Sequence, residues 1–123
     1  MKKNDLIKKL KRIVGADWVR SDSLTRYYFS VDVLTHFARG SIYPENRPLA
    51  VVYPGSAKDV QQVVRLAQKH NIPLYAVGGG TVILIGSIPG MPDKGITLDF
   101  HRMQKITVDP ERLAVRVQPG ATD

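Results

Sequence analysis

One segment of the sequence, residues 49–80, restricts the possible folds more than any other. It begins with a short apolar run at 49–53, which is typical of a strand covered on both faces. A helical pattern follows, with apolar residues at i, i+3, i+4 and i+7 counted from Val60. A second apolar run at 74–77 leads directly into three glycines at 78–80. A strand, a helix and a strand in this order predict a β-α-β unit with parallel strands.

The segments on either side of this unit predict a mixed α/β fold. Apolar residues recur at helical spacing across 5–14, and a second short helix is expected after Ser23, with its apolar side chains buried. A third strand is expected at 96–100. Two further runs, 104–108 and 113–118, flank a turn and predict a C-terminal antiparallel hairpin whose second strand buries one face. We therefore expect a small parallel sheet with flanking helices and a C-terminal hairpin, an α/β or α+β fold.

Composition limits the chemistry and the compartment. The 123 residues include no cysteine, which excludes disulfides, cysteine-ligated metals and thiol nucleophiles. No apolar run approaches the roughly 20 residues that a membrane span needs. Lysines interrupt the first predicted helix throughout, so no secretory signal is recognisable. We expect a cytoplasmic protein without a membrane span.

The formal net charge of +7 is concentrated near the start of the chain. Across residues 2–12, the lysines and Arg12 are opposed only by Asp5. Such a basic helix can meet nucleic acid, an anionic surface or an acidic partner, or it can present a solvated outer face. The other charges are scattered and no aromatic residues interleave with them, which favours the solvated face and no specific nucleic-acid partner. Binding of nucleic acid would appear as salt-sensitive affinity without sequence preference.

The three glycines at 78–80 are the strongest candidate for a binding site. Glycine lets the backbone approach a ligand closely and adopt positive φ, and successive N–H groups in such a turn can form a nest for phosphate. Ligands of open α/β sheets also sit at the carboxyl ends of strands. However, Ile83 stands where the dinucleotide fingerprint has its third glycine, and no lysine follows before Lys94, as the P-loop would require. The loop alone leaves a phosphate site and an unliganded tight turn both open.

No catalytic centre is recognisable elsewhere in the sequence. His36, His70 and His101 lie far apart and lack the spacing of metal ligands, so we expect structural or surface roles for them and no metal site. We expect Trp18 to be a core anchor. Asp99, at the end of a predicted strand, is expected to accept hydrogen bonds locally.

A family resemblance is carried by the order and spacing of seven short segments: 29–32, 47–54, 56–60, 72–74, 78–81 with Gly86, 95–99 and 116–120. Together they resemble the N-terminal part of the FAD-binding domain in FAD-linked 2-hydroxy-acid oxidases and dehydrogenases. These are enzymes of the glycolate oxidase and D-lactate dehydrogenase type, within the vanillyl-alcohol oxidase (PCMH-type) superfamily. The resemblance extends from about Leu24 to the end of the chain.

The resemblance implies FAD as the cofactor, with its pyrophosphate held by backbone N–H groups of the glycine loop. The alternative interpretation is a stand-alone structural or interaction module that has lost flavin binding, because Val82 and Leu84 stand where the family commonly has small or hydroxylated residues and Ile85 stands where it has a glycine. Carried over by position, the cofactor-binding candidates are Gly78, Gly79, Gly80, Thr81, Val82 and Gly86.

In the family, the strand that ends in the motif at 116–120 is followed by a second subdomain and a substrate cap. We therefore expect N-terminal helices and a loop at 1–47 and an incomplete FAD-binding subdomain at 48–123. The resemblance implies an FAD-binding fragment or split subunit of a glycolate or D-lactate type oxidoreductase, inactive alone. Its expected partner is the remainder of the flavoenzyme or a second copy, associating through the edge of the final hairpin.

Overall fold

Short strands and helices alternate along the chain, and the computed structural model describes residues 2–31, 46–81, 89 and 93–122. In chain order the elements are helix α1 (Lys3–Val14), a 3₁₀ turn (Ala16–Trp18), strand β1 (Val19–Arg20), helix α2 (Ser23–Tyr28), strand β2 (Ala50–Val52), helix α3 (Ala57–Lys69), and strands β3 (Leu74–Val77), β4 (Ile96–Asp99), β5 (Ile106–Asp109) and β6 (Ala114–Val117).

Four of the strands form one sheet in the order β1-β2-β4-β3. Strands β2, β4 and β3 run parallel, and β1 is antiparallel to β2 at the edge. The predicted α/β fold with a parallel β-α-β unit is confirmed. Strands β2 and β3 are not neighbours, however, because β4 enters between them and pairs with both. The carboxyl ends of three parallel strands therefore meet at one edge of the sheet.

One face of this sheet is covered by α1 and α3. Leu6 and Leu10 of α1 and Val63 of α3 are fully buried against Ile96 and Leu98 of the central strand β4. Each such side chain contributes about 1.5–3 kcal/mol when it is taken out of water. The amphipathic patterns in the sequence therefore correspond to real helices, and this layer holds the sheet edge in place.

Helix α2 differs from its prediction. Asp22 caps it by accepting a hydrogen bond from the Thr25 N–H at 2.9 Å. The expectation that its apolar side chains are buried is wrong, since Leu24 is 79% exposed and Tyr28 is also exposed. The six-residue helix is attached through a polar contact instead: Arg26 Nε donates to the carbonyl oxygen of Pro48 at 2.6 Å.

The hairpin also differs from its prediction. Strands β5 and β6 form a separate two-stranded antiparallel sheet, and its turn is closed by the Arg112 N–H donating to Asp109 Oδ1 at 3.1 Å. The expected buried face of the second strand is wrong, because every residue of β6 is exposed. No other element of the described part of the chain covers the ribbon. Its apolar face, which we call the hairpin face, comprises Ile106, Val108, Val115 and Val117.

Candidate functional site

The carboxyl edge of the parallel strands is where the glycine loop begins. Val77, the last residue of β3, pairs with Asp99, the last residue of β4. The Phe100 N–H extends this pairing by donating to the Val77 carbonyl oxygen at 2.9 Å. Gly78 follows directly, so the loop starts from a fixed point on the sheet.

The backbone of the glycine loop offers unused donors. Within the described residues, no hydrogen bond takes up the N–H groups of Gly78, Gly79, Gly80 or Thr81. Gly80 has φ of +74°, which a residue with a side chain rarely adopts, and the position of its missing Cβ faces open space. Successive free N–H groups in such a conformation suit an anion. Two predicted candidates, Val82 and Gly86, lie outside the described residues.

Gly78 and Gly79 are glycines for a different reason, which is close packing. A Cβ at Gly78 would lie 2.8 Å from the carbonyl oxygen of Pro119, and one at Gly79 would overlap the methyl group of Thr122. The segment at 119–122 therefore lies directly against the loop. These two glycines permit that approach, whereas Gly80 permits a backbone conformation.

Gly120 closes the same junction from the other side. A Cβ there would overlap the carbonyl oxygen of Phe100, and the Gly120 N–H donates to Met103 O at 2.9 Å. The sequence motif at 116–120 marks this segment, but sequence reasoning did not place Gly120 in the site. The signal that could have found it is a Pro-Gly pair directly after a strand.

A carboxylate and an imidazole lie together at this edge. The side chain of Asp99 is only 3% exposed, and its Oδ1 accepts the backbone N–H of His101 at 3.0 Å and also contacts His101 Nδ1. The His101 ring itself is half exposed. The predicted role of Asp99 as a local acceptor is confirmed. Burial and then the Asp99 carboxylate raise the pKa of the Tyr53 phenol, so this hydroxyl stays protonated near neutral pH.

Arg102 fixes the turn that carries His101. Its Nη1 donates to the carbonyl oxygen of Tyr53 at 2.8 Å, and its guanidinium carbon lies 3.9 Å from the centroid of the Trp18 ring. A Cβ at Gly55 would come within 2.7 Å of Arg102 Nη2. Trp18 is 42% exposed, so the expectation of a core anchor is wrong. Its ring is instead a platform for a cation, worth about 0.5–1 kcal/mol at an exposed site.

The described ranges hold neither a metal cluster nor a membrane-spanning helix. At 2–31, 46–81, 89 and 93–122, no three histidine, aspartate or glutamate side chains come together in a way that could hold a metal ion. In those same ranges, none of the helices has the length and apolar character to cross a bilayer.

Comparison with known proteins identifies the family. A sequence model described as "FAD binding domain" matches residues 48–123, more than half of the chain. The chain belongs to the FAD binding domain family. The predicted resemblance to FAD-linked oxidoreductases is confirmed, and FAD is the cofactor of this family.

Individual relatives agree with this assignment. The chain is 29% identical to the 4-cresol dehydrogenase [hydroxylating] flavoprotein subunit of Pseudomonas putida, over 97% of this chain and 22% of that one. It is 25% identical to glycolate oxidase subunit GlcD of Bacillus subtilis (strain 168), over 94% of this chain and 23% of that one. The solved structure of 4-ethylphenol oxidase from Gulosibacter chungangensis matches with a TM-score of 0.76 at 32% identity, over 96% of this chain and 22% of that one. The chain thus spans less than a quarter of the length of these relatives.

Proposed function

We propose that this chain binds the ADP half of FAD at the carboxyl edge of its parallel sheet, as part of a 2-hydroxy-acid oxidoreductase of the glycolate or D-lactate type. The observation that carries the proposal is the row of unused N–H groups from Gly78 to Thr81 at this edge. Oriented backbone N–H groups stabilise the negative charge of a pyrophosphate, and the ends of parallel strands are where α/β sheets bind nucleotides. When bound, FAD supplies the redox chemistry.

Each residue of the loop has a separate task in this proposal. Gly80 adopts the positive φ that turns the neighbouring N–H groups toward the ligand, and Thr81 adds an exposed hydroxyl. Gly78 and Gly79 let the segment at 119–122 support the loop from behind. Val82 and Gly86 complete the proposed set by their positions in the family motif.

The proposal includes a division of the chain and a partner. Residues 48–123 form the first subdomain, 1–47 precede it, and residues 1–123 alone do not oxidise the substrate. The uncovered hairpin face supports this, since its four apolar side chains are between 53% and 66% exposed. An exposed apolar patch of this kind marks a surface for another domain or a second copy.

A second candidate function is a structural or interaction module that has lost flavin binding. The specific observation in its favour is that Gly78 and Gly79 are explained by packing against 119–122 alone, which requires no ligand. In that case the free N–H groups of the loop are hydrated and take up no phosphate.

Calorimetric titration of the purified chain separates the two candidates. The proposal predicts saturable binding of FAD and of ADP, and no binding of adenosine, which lacks the phosphates. Gly80→Val forces a β-branched side chain into positive φ and should weaken FAD binding at least tenfold, while Thr107→Val, on the polar face of the hairpin, is the control that leaves it unchanged. Absence of binding at about 1 mM FAD, where about −4 kcal/mol would still register, supports the second candidate.

An activity assay tests the remaining part of the proposal. The chain with added FAD is expected to oxidise neither glycolate nor D-lactate. Turnover of either acid would show that the chain is active without a partner.

A further inference from the structure

We propose that His101, held by the buried carboxylate of Asp99, is a second phosphate-binding group of the FAD site and makes FAD binding depend on pH. This inference rests on the proposed function. It assigns to His101 a role beyond the structural or surface one that the sequence predicts.

His101 lies at the same edge of the sheet as the glycine loop, which is the first observation in favour of this role. Asp99 pairs with Val77, the residue directly before Gly78, and paired strands lie about 4.8 Å apart. The backbone nitrogen of His101 lies 3.1 Å from the point where a Cβ on Gly120 would stand. The carbonyl oxygen of Pro119, the preceding residue, lies 2.8 Å from the corresponding point on Gly78. His101, the turn at 119–120 and the glycine loop are thus consecutive neighbours along one edge.

The second support is the arrangement of the imidazole. Its Nδ1 is engaged by Asp99 Oδ1, and within the described residues its Nε2 has no partner. The ring is half exposed, whereas the carboxylate behind it is 3% exposed. A buried carboxylate favours a positive partner, and a protonated imidazole donates from both nitrogens. The charged form of His101 therefore offers an N–H and a positive charge to an anion at this edge.

The other charged and titratable groups near this edge are already engaged or stay in one protonation state near neutral pH. From the residue after β2, Tyr53 contributes a phenol whose pKa is raised, first by its burial and then by Asp99. Arg102 adds a fixed positive charge, already engaged with the Tyr53 carbonyl and the Trp18 ring. Arg20 and Asp22 also act on the Tyr53 phenol, with opposite signs. The packed backbone at 77–80 and 119–122 carries no titratable side chain.

Calorimetric titration with FAD between pH 5.5 and 8.5 tests the inference. FAD is the suitable probe because its pyrophosphate has no monoester group, whose second ionisation near pH 6 would complicate the use of ADP. Gaining one charge-assisted hydrogen bond should tighten FAD binding about tenfold from pH 8.5 to pH 5.5. His101→Asn keeps a donor near Asp99 but removes Nε2, so its FAD affinity should not change between pH 5.5 and pH 8.5. His70→Gln, at the end of α3, is the matched control and should keep the pH dependence.

A spectroscopic titration tests the inference without any variant. The ring proton resonances of His101, followed by NMR at pH 6, should shift when saturating FAD is added, and those of His70 should not move. Binding of FAD that is independent of pH, or unchanged ring resonances for His101, overturns this inference and leaves the proposed function standing. Absence of FAD binding at every pH overturns both.

Discussion

The four-stranded sheet and the C-terminal hairpin carry comparable apolar strand sequences but are stabilised in different ways. All residues of β2 and β4 are buried, in a sheet that α1 and α3 cover on one face and in which each of these two strands has a neighbouring strand on both sides. All residues of β6 are exposed. A two-stranded ribbon without a covering layer is marginally stable in water. The comparison shows that strand-forming sequence sets the local backbone, while stability depends on what covers it.

The glycine loop lies at the boundary between these two regions. It starts from the well-packed strand β3, and it is supported by the segment at 119–122, which follows the exposed hairpin. Gly120 joins them, since it packs against Phe100 at the end of β4. The proposed FAD site therefore takes its position from the sheet and part of its support from the hairpin side.

The largest expected effect is a difference in stability between two matched isoleucine substitutions, one in the four-stranded sheet and one in the hairpin. Ile96, in β4, is fully buried and Ile106, in β5, is 53% exposed. Ile96→Ala should lower the free energy of unfolding by about 2–5 kcal/mol, because it leaves a cavity in the core. Ile106→Ala should lower it by less than about 1 kcal/mol, as at other surface positions. Urea denaturation followed by circular dichroism measures both, and equal losses would contradict the account.

The next effect concerns the junction between the two regions. Gly120→Ala places a methyl group on the Phe100 carbonyl and should cost about 3 kcal/mol, since backbone on both sides must move. Gly80→Ala meets open space and only the strain of positive φ, so it should cost about 1 kcal/mol. The midpoint of thermal unfolding shows which of the two substitutions destabilises the chain more. If Gly80→Ala is the more damaging variant, the assigned roles of the glycines are wrong.

A smaller effect concerns the uncovered hairpin face. We expect concentration-dependent self-association of the chain, because this face is apolar and exposed. Val115→Asp should weaken that association at least tenfold, or about 1.4 kcal/mol. Thr107→Asp places the same charge on the opposite face of the hairpin and should have little effect. Sedimentation velocity over a wide concentration range measures both, and a wild-type chain that stays monomeric throughout would contradict the prediction.

The smallest effect lies in α2, which like the hairpin leaves apolar side chains exposed. The Thr25 backbone N–H, followed by its hydroxyl, lowers the pKa of Asp22 below the ordinary 3.8. A lowered carboxylate pKa stabilises the folded state above the ordinary value, and this stabilisation is lost as the pH falls through the folded-state pKa.

The stability difference between the wild-type chain and Asp22→Ala should therefore shrink between pH 7 and pH 2.5. Ser56→Ala removes the uncharged cap of α3, in which the Ser56 hydroxyl accepts from the Asp59 N–H. The loss in free energy of unfolding caused by Ser56→Ala should change less with pH than the loss caused by Asp22→Ala. Urea denaturation at both pH values gives the comparison, and a difference for Asp22→Ala that grows on acidification would have the wrong sign.

The sequence predicted the elements whose signals are local. The bounds of β3 were predicted as observed, and the predicted helical spacing from Val60 falls within α3, which Ser56 caps. The capping residue Asp59 reaches back to the Gly55 N–H at 2.9 Å. Periodicity and capping are properties of neighbouring residues, so they can be read from the sequence.

The features that sequence reasoning missed depend on contacts between distant segments. No local pattern relates the residues that meet when β4 enters between β2 and β3, or those of the Arg102–Trp18 contact. The exposure of the hairpin face likewise depends on which distant segments cover it. In the site, the glycines at 78–80 were predicted as a group. Their separate roles emerge only from the return of the chain at 119–122. The Asp-x-His spacing at 99–101, directly after a strand, is the signal that could have paired Asp99 with His101.

Direct contact between the glycine loop and the phosphates of FAD is the central element of the proposed function. Two-dimensional ¹H–¹⁵N NMR of the labelled chain tests it most directly, with ADP and adenosine as separate titrants. ADP should shift the amide resonances of Gly78, Gly79, Gly80 and Thr81 more than any others, and adenosine should leave them in place. ADP shifts confined to the basic residues of α1, or no shifts at the loop at saturating ADP, would contradict it.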